Sequence, residues 1–265
     1  MRPILYQKAP IERLTREPGH WFYGYYDVQP FSADNEYHLI HRVDFENRMT
    51  RAHDTATVGM IRLRDNFFEP LDDTLAWNFQ QGSLLRWTPW APNDEVMYNT
   101  VSYFKLVTKI LNVKTGEARL WERPTATVAD NGSVALSVNF PRIYGFRAGY
   151  GYACLPDDFA DQKTPADDGV WRIEPATGKS ELVLSLQQCF ELAAPYMTEE
   201  ERSWKYLINH ITLNPSGTRF VALMRGKPER LGGGWRTFTI TANTDGSDAF
   251  LMMKSVASHY HWKND

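Results

Sequence analysis

Short apolar runs separated by turns of Pro, Ser, Asp, Asn and Gly recur along this chain in groups of four, and that rhythm limits the fold more than any other feature. The clearest group spans Tyr206 to Met253. Leu207–Leu213 reads as a strand and Asn214-Pro215-Ser216-Gly217 as a turn; Phe220–Met224 and Thr237–Ala242 follow as strands, and Asn243-Thr244-Asp245-Gly246 turns into Ala249–Met253. Glycine late in such turns supplies the positive φ they require. Looser copies run from Trp21 to Val43, turning at Ser32-Ala33-Asp34-Asn35 and continued by Thr57–Leu63, and from Ser83 to Trp121, turning at Ala91–Asp94 and Lys114–Gly116. Another starts at Thr125–Phe140, turns at Ala129-Asp130-Asn131-Gly132, and is completed by Gly169–Ile173 and Ser180–Leu186.

Four-stranded units at this spacing predict an all-β fold, a β-propeller of about four complete blades plus the start of a fifth, in a single domain over 1–265. A β-sandwich is the alternative, and it would lack the four-beat grouping. One helical insertion is expected near 187–204, where Glu, Leu, Ala and Met dominate. Arg142–Pro165 reads as a long loop rich in Gly, Tyr and Asp, and loops of that length in compact domains often carry function. The fifth unit begins at Ser255–Trp262 and stops at Lys263-Asn264-Asp265, read as its first turn. An unpartnered sheet edge is a liability, so the expectation is a fragment or truncated product. The other reading is a small ring closed by pairing with Ile4–Tyr6.

A formal net charge of -3 gives no reason to expect nucleic acid as a partner, and no apolar run is long enough to span a membrane. The start of the chain has no secretory-type apolar stretch, and two cysteines make no disulfide framework, so a cytoplasmic location is expected. Aromatic residues reach 14%, which suits a strand-rich core or a carbohydrate-binding face.

Several stretches carry a resemblance. Gly19–Asp27 followed by Pro30–Asp34, Gln80-Gln81-Gly82-Ser83, Ser137–Arg142, Arg147–Tyr152, Asn209–Pro215 and Ser258-His259-Tyr260 are similar to ulvan-lyase-like polysaccharide lyases and their bacterial relatives. The likeness extends more distantly to the oligogalacturonate-lyase propellers. It covers nearly the whole chain and implies a seven-bladed parent, of which roughly the last two or three blades would be missing. It also implies a lyase acting on uronate-containing oligosaccharides or polysaccharides by β-elimination. That chemistry needs a base for the proton beside the sugar carboxylate, a cation to neutralise the carboxylate, and an acid for the leaving oxygen. The other reading is a propeller that binds a glycan or a protein without turnover.

His20 and His41 lie about one hairpin apart, and the resemblance implies a pair of histidines around the scissile bond. Arg142 follows an apolar strand and opens the long loop, which makes it the candidate for neutralising the carboxylate. Arg147, Tyr150 and Tyr152 in the same loop, with Tyr25 and Gln81 in the resembling motifs, are candidates for contacting sugar. In the lyase pattern a tyrosine precedes the arginine by about one hairpin. That position falls near Thr125-Ala126-Thr127, and none of Tyr98, Tyr103 or Tyr144 aligns with it.

His259 and His261 would share one face of a strand, and His210 occupies the equivalent strand of the preceding unit. Converging imidazoles would suit a divalent metal ion such as Zn or Mn, and the resemblance places a His-rich metal site there. No organic cofactor is expected: Gly232-Gly233-Gly234 reads as a hairpin tip, with no Lys-Ser/Thr to make it a phosphate loop. Asp72-Asp73, Asp157-Asp158 and Asp167-Asp168 read as solvated turns.

Overall fold

The computed structural model describes residues 10–16, 18–228, 234–255 and 257–265. Ile4–Tyr6 and most of the Gly232–Gly234 tip lie outside the described residues. The described residues form four antiparallel four-stranded sheets, each a meander of consecutive strands. Blade 1 contains β1 His20–Phe22, β2 Tyr37–Val43, β3 Ala56–Arg62 and β4 Phe67–Thr74. Blade 2 contains β5 Arg86–Trp87, β6 Glu95–Ser102, β7 Lys105–Asn112 and β8 Ala118–Trp121. Blade 3 contains β9 Thr127–Val128, β10 Ala135–Ser137, β11 Gly169–Ile173 and β12 Ser180–Ser185. Blade 4 contains β13 Lys205–Leu213, β14 Arg219–Lys227, β15 Arg236–Asn243 and β16 Phe250–Ser255. This is the all-β propeller architecture that the repeat predicted.

Turn chemistry sets the meanders. In the blade 4 turn Gly217 sits at φ 72, while Asn214 Oδ1 accepts from the Thr218 and Arg219 backbone N–H groups. Buried residues alternate or run continuously along the middle strands, so both faces of each sheet are packed. Phe220, Met224, Phe238 and Ile240 belong to the largest apolar cluster, which joins blades 3 and 4. Asn99 on β6 ties blade 2 to blade 3: its amide nitrogen donates to the Thr125 carbonyl, and its Oδ1 accepts from the Thr125 N–H.

The helical insertion is α2 Leu186–Ala193, a 3-10 turn at Ala194–Tyr196, and α3 Glu199–Arg202. Ser185 with Gln188, and Thr198 with Glu201, form capping boxes that start the two α-helices.

Two expectations are corrected. The segment read as a loop from Arg142 begins inside a helix, α1 Phe140–Phe146, with Asn139 as N-cap and Pro141 in its first turn. The start of a fifth blade does not form a strand either: Ala257–Asp265 has no strand structure and packs along β13 through side-chain bonds. Tyr260 Oη donates to the His210 and Val221 carbonyls, and Trp262 Nε1 to Thr212 Oγ1.

Candidate functional site

An axial cavity of about 410 Å³ lies where the first strands of the blades converge. Tyr25, Tyr26 and Asp27 reach it from the segment after β1, Arg86 from β5, Asp130 from just beyond β9, Asn209 and His210 from β13, and Ser258–Trp262 from the C-terminal segment. Tyr150 enters from the insertion between β10 and β11.

His210 is the chemically most distinctive group on this wall. It sits at the bulge where the β13–β14 register shifts between Asn209 and Ile211, and its φ is 50. A non-glycine residue in the left-handed region costs roughly 1–2 kcal/mol, and such strain concentrates at functional positions. The bulge turns the imidazole toward the cavity. Tyr25 stacks on the ring at 5.7 Å between centroids and 20° between planes, and Tyr150 meets it edge-on at 5.5 Å and 89°. Burial, then the Arg225, Arg147 and His259 charges, push its pKa from 6.5 down to about 4, so the ring is neutral near pH 7. The Arg147 guanidinium lies 3.8 Å from the Tyr150 ring centre. Burial, followed by the Arg147 charge, lowers the Arg225 pKa; Tyr150, Tyr25 and Tyr260 oppose that shift. Burial, then neighbouring Tyr26, Tyr150 and Asp27, raise the Tyr25 hydroxyl to about 12, which keeps it a proton donor at neutral pH. On the opposite walls Arg86 lies in the field of Asp27 and Asp130.

Four of the sequence-predicted residues, His20, His41, Arg142 and Tyr152, fall elsewhere. His41 does not face the cavity. It is fully buried, stacked on Phe22, with Nδ1 2.5 Å from the Tyr23 carbonyl. Ser83 N–H donates to His41 Nε2 at 3.0 Å, and Ser83 Oγ lies 2.8 Å from the same nitrogen, so Nδ1 carries the proton. A Cβ on Gly82, which has φ 61, would land on this imidazole. His41 therefore fastens blade 1 to the start of blade 2. His20 lies on β1 with Nδ1 3.1 Å from Glu46, and it is not among the residues lining the cavity.

Arg142 is likewise corrected. Because Asn139 and Pro141 start a helix, its side chain turns inward and is 2% exposed. Nε donates to the Tyr206 carbonyl, Nη1 to Asp157 and the Phe159 carbonyl, and Nη2 to the Gln162 and Lys163 carbonyls. With its donors committed, the guanidinium is unavailable to a substrate carboxylate. Tyr152 is also buried, stacked on Phe140 and accepting from Asn99. Of the named sugar-contact candidates, Tyr25, Gln81 and Tyr150 line the cavity and Arg147 packs behind Tyr150.

His210, His259 and His261 all line the cavity, yet among the described residues no three His, Cys, Asp or Glu side chains gather closely enough to hold a metal ion. His259 and His261 lie on irregular chain rather than on one strand face. The acidic pairs are not simple solvated turns. Asp72 binds Lys109 and Tyr98; Asp157 binds Arg142 and Asn139; Asp168 is buried and accepts from Asn139. Tyr144 donates to the Thr50 carbonyl, and Tyr103 is exposed on the β6–β7 hairpin, so neither reaches the axis. Arg225 escaped the sequence reading, although a charged residue inside the apolar run Phe220–Gly226 is itself a signal.

No protein-family model matches the chain, and no curated protein matches it. Solved structures do. TolB from Acinetobacter baumannii aligns with a TM-score of 0.41 at 8% identity over 88% of this chain and 54% of its own, so the chain spans about half the length of that protein. An oligogalacturonate lyase from Vibrio parahaemolyticus aligns with a TM-score of 0.42 at 12% identity over 92% of this chain and 69% of its own. A TolB-like protein from Agrobacterium tumefaciens aligns with a TM-score of 0.40 at 8% identity over 91% of this chain and 83% of its own. No described helix is long and apolar enough to cross a membrane.

Proposed function

We propose that the axial cavity binds a uronate-containing oligosaccharide and cleaves it by β-elimination. The observation that carries this reading is His210: a neutral imidazole in a strained backbone position, set between Tyr25 and Tyr150 in the field of Arg147 and Arg225. Neutral imidazole accepts a proton, and the neighbouring guanidiniums favour the anionic character that builds at the sugar carboxylate as that proton leaves. Tyr25, protonated at neutral pH, is placed to donate to the departing glycosidic oxygen. The bond between C4 and that oxygen breaks, a C4=C5 double bond forms, and one chain becomes two. These roles fall on His210, Arg147, Arg225 and Tyr25, in place of His20, His41 and Arg142.

The test is the ultraviolet absorbance of unsaturated uronate ends when pectin, ulvan or alginate fragments are supplied, with His210→Gln as the control. A signal that is present in the parent and lost in His210→Gln supports the reading. A signal unchanged in His210→Gln removes it. One observation favours binding without turnover: a pKa near 4 makes His210 a weak base. Binding of the same fragments by calorimetry, with no absorbance change, would establish that second reading.

A further inference from the structure

Among the described residues, three buried polar atoms without a hydrogen-bond partner lie on one face of blade 4: Asn209 Oδ1, Arg225 Nε and Thr239 Oγ1. Their residues are 3, 6 and 4% exposed. The strand register groups them. Asn209 on β13 and Thr239 on β15 both pair with Leu223 on β14, and Arg225 follows Leu223 by two positions. All three side chains therefore project from the same face, with Arg225 diagonal to each of the others, about 7–8 Å away and within reach of a long side chain. Arg225 Nη2 makes a long bond of 3.4 Å to the Ala257 carbonyl. Asn209 also lines the axial cavity, as do Ser258–Trp262, which follow Ala257, so the Asn209 end of the group reaches that cavity.

Buried polar groups are almost always paired, and each exception asks for a partner. Here the demands are complementary. Arg225 Nε needs an acceptor and its charge needs an anion; Asn209 Oδ1 needs a donor; Thr239 Oγ1 takes either role. A carboxylate alone would leave Asn209 unmet, and a neutral hydroxyl compound would leave the guanidinium unpaired. We infer that Arg225, Asn209 and Thr239 form a subsite for a hydroxycarboxylate, with the carboxylate on Arg225 and an adjacent hydroxyl donating to Asn209. Acidic sugars and small free hydroxy acids share this chemistry. The inference rests on the acidic-glycan reading only for which of them is the natural ligand.

The experiment follows the thermal unfolding midpoint of the whole chain with glycolate, galacturonate, acetate and galactose, all at one ionic strength set by chloride. Ligand that binds only the folded state raises the midpoint with concentration. Glycolate and galacturonate are expected to protect, acetate less, and galactose not at all. Arg225→Met should weaken the apparent glycolate affinity roughly tenfold, and the near-isosteric Thr239→Val roughly fivefold. Thr239→Val keeps the test decisive if Arg225→Met does not fold. Glycolate protection no greater than that of acetate, or unchanged in Thr239→Val, overturns the subsite. Glycolate protection without oligosaccharide binding leaves the subsite standing and removes the glycan reading. Oligosaccharide binding that Thr239→Val leaves untouched, with no glycolate protection, does the reverse.

Discussion

His41 and His210 have the same titration behaviour and opposite situations. Burial pushes each imidazole from 6.5 to about 4. At the blade 1–blade 2 junction, both ring nitrogens of His41 are bonded and the backbone around it is regular strand. On the blade 4 wall, His210 sits at left-handed φ, held by ring contacts and facing a cavity. The two guanidiniums repeat the contrast. Arg142 reaches an acceptor with each of its nitrogens, while Arg225 keeps a buried Nε unpaired. Burial and a shifted pKa are thus common to both members of each pair; unspent bonding capacity is what sets His210 and Arg225 apart.

The arginines give the largest test of that contrast. Arg142→Met strips partners from four backbone carbonyls and removes the counter-charge of half-buried Asp157, which keeps only its bonds from Asn139 and the Phe159 N–H. We expect a loss of about 3–5 kcal/mol in chemical denaturation. Arg225→Met removes one long bond and relieves repulsion with Arg147, so its cost should stay below about 1 kcal/mol. Equal losses would break the comparison.

The histidines come next. His41→Phe leaves the Tyr23 carbonyl and the Ser83 N–H without their partner in a sealed junction. A loss of about 2–3 kcal/mol is expected by the same measurement, with oligosaccharide binding retained. His210→Phe can keep the ring contacts with Tyr25 and Tyr150, so stability should change by less than about 1 kcal/mol while turnover disappears. Turnover that survives His210→Phe would return the base to another residue.

How much of this was legible in the sequence follows from the range of the interactions involved. Turns are local: Asn214–Gly217 and Asn243–Gly246 announce their hairpins, and the ends of the strands they join lie within three residues of their expected places. The fate of Arg142 was local too, because an N-capping Asn139 followed by Pro141 marks a helix start that turns the arginine inward. His41 was not readable in this way. Its partners are Tyr23 and Ser83, separated from it by 18 and 42 positions, and only the packed junction brings them together. His210 was visible as a candidate, read there as a metal ligand. A bulge between Asn209 and Ile211 has no sequence signature here, and without it His210, His259 and His261 read as a set on matched strands.

Acid titration offers the smallest and sharpest separation. A depressed folded-state pKa means that each imidazole's contribution to stability is complete above 6.5 and is lost as pH falls through about 4. The parent should therefore lose thermal midpoint across that window, and each histidine variant should lose less over it. A bound anion distinguishes the two groups. Protonated His210 faces the cavity beside Arg147, Arg225 and His259, where glycolate or galacturonate would neutralise the added charge. Protonated His41 faces the Ser83 N–H and the Tyr23 carbonyl in a junction no ligand enters. With saturating glycolate the acid slope should flatten in the parent and in His41→Phe, and should stay as it was in His210→Phe. If glycolate flattens the slope equally in both variants, the anion acts elsewhere, and the two imidazoles differ in their bonding alone.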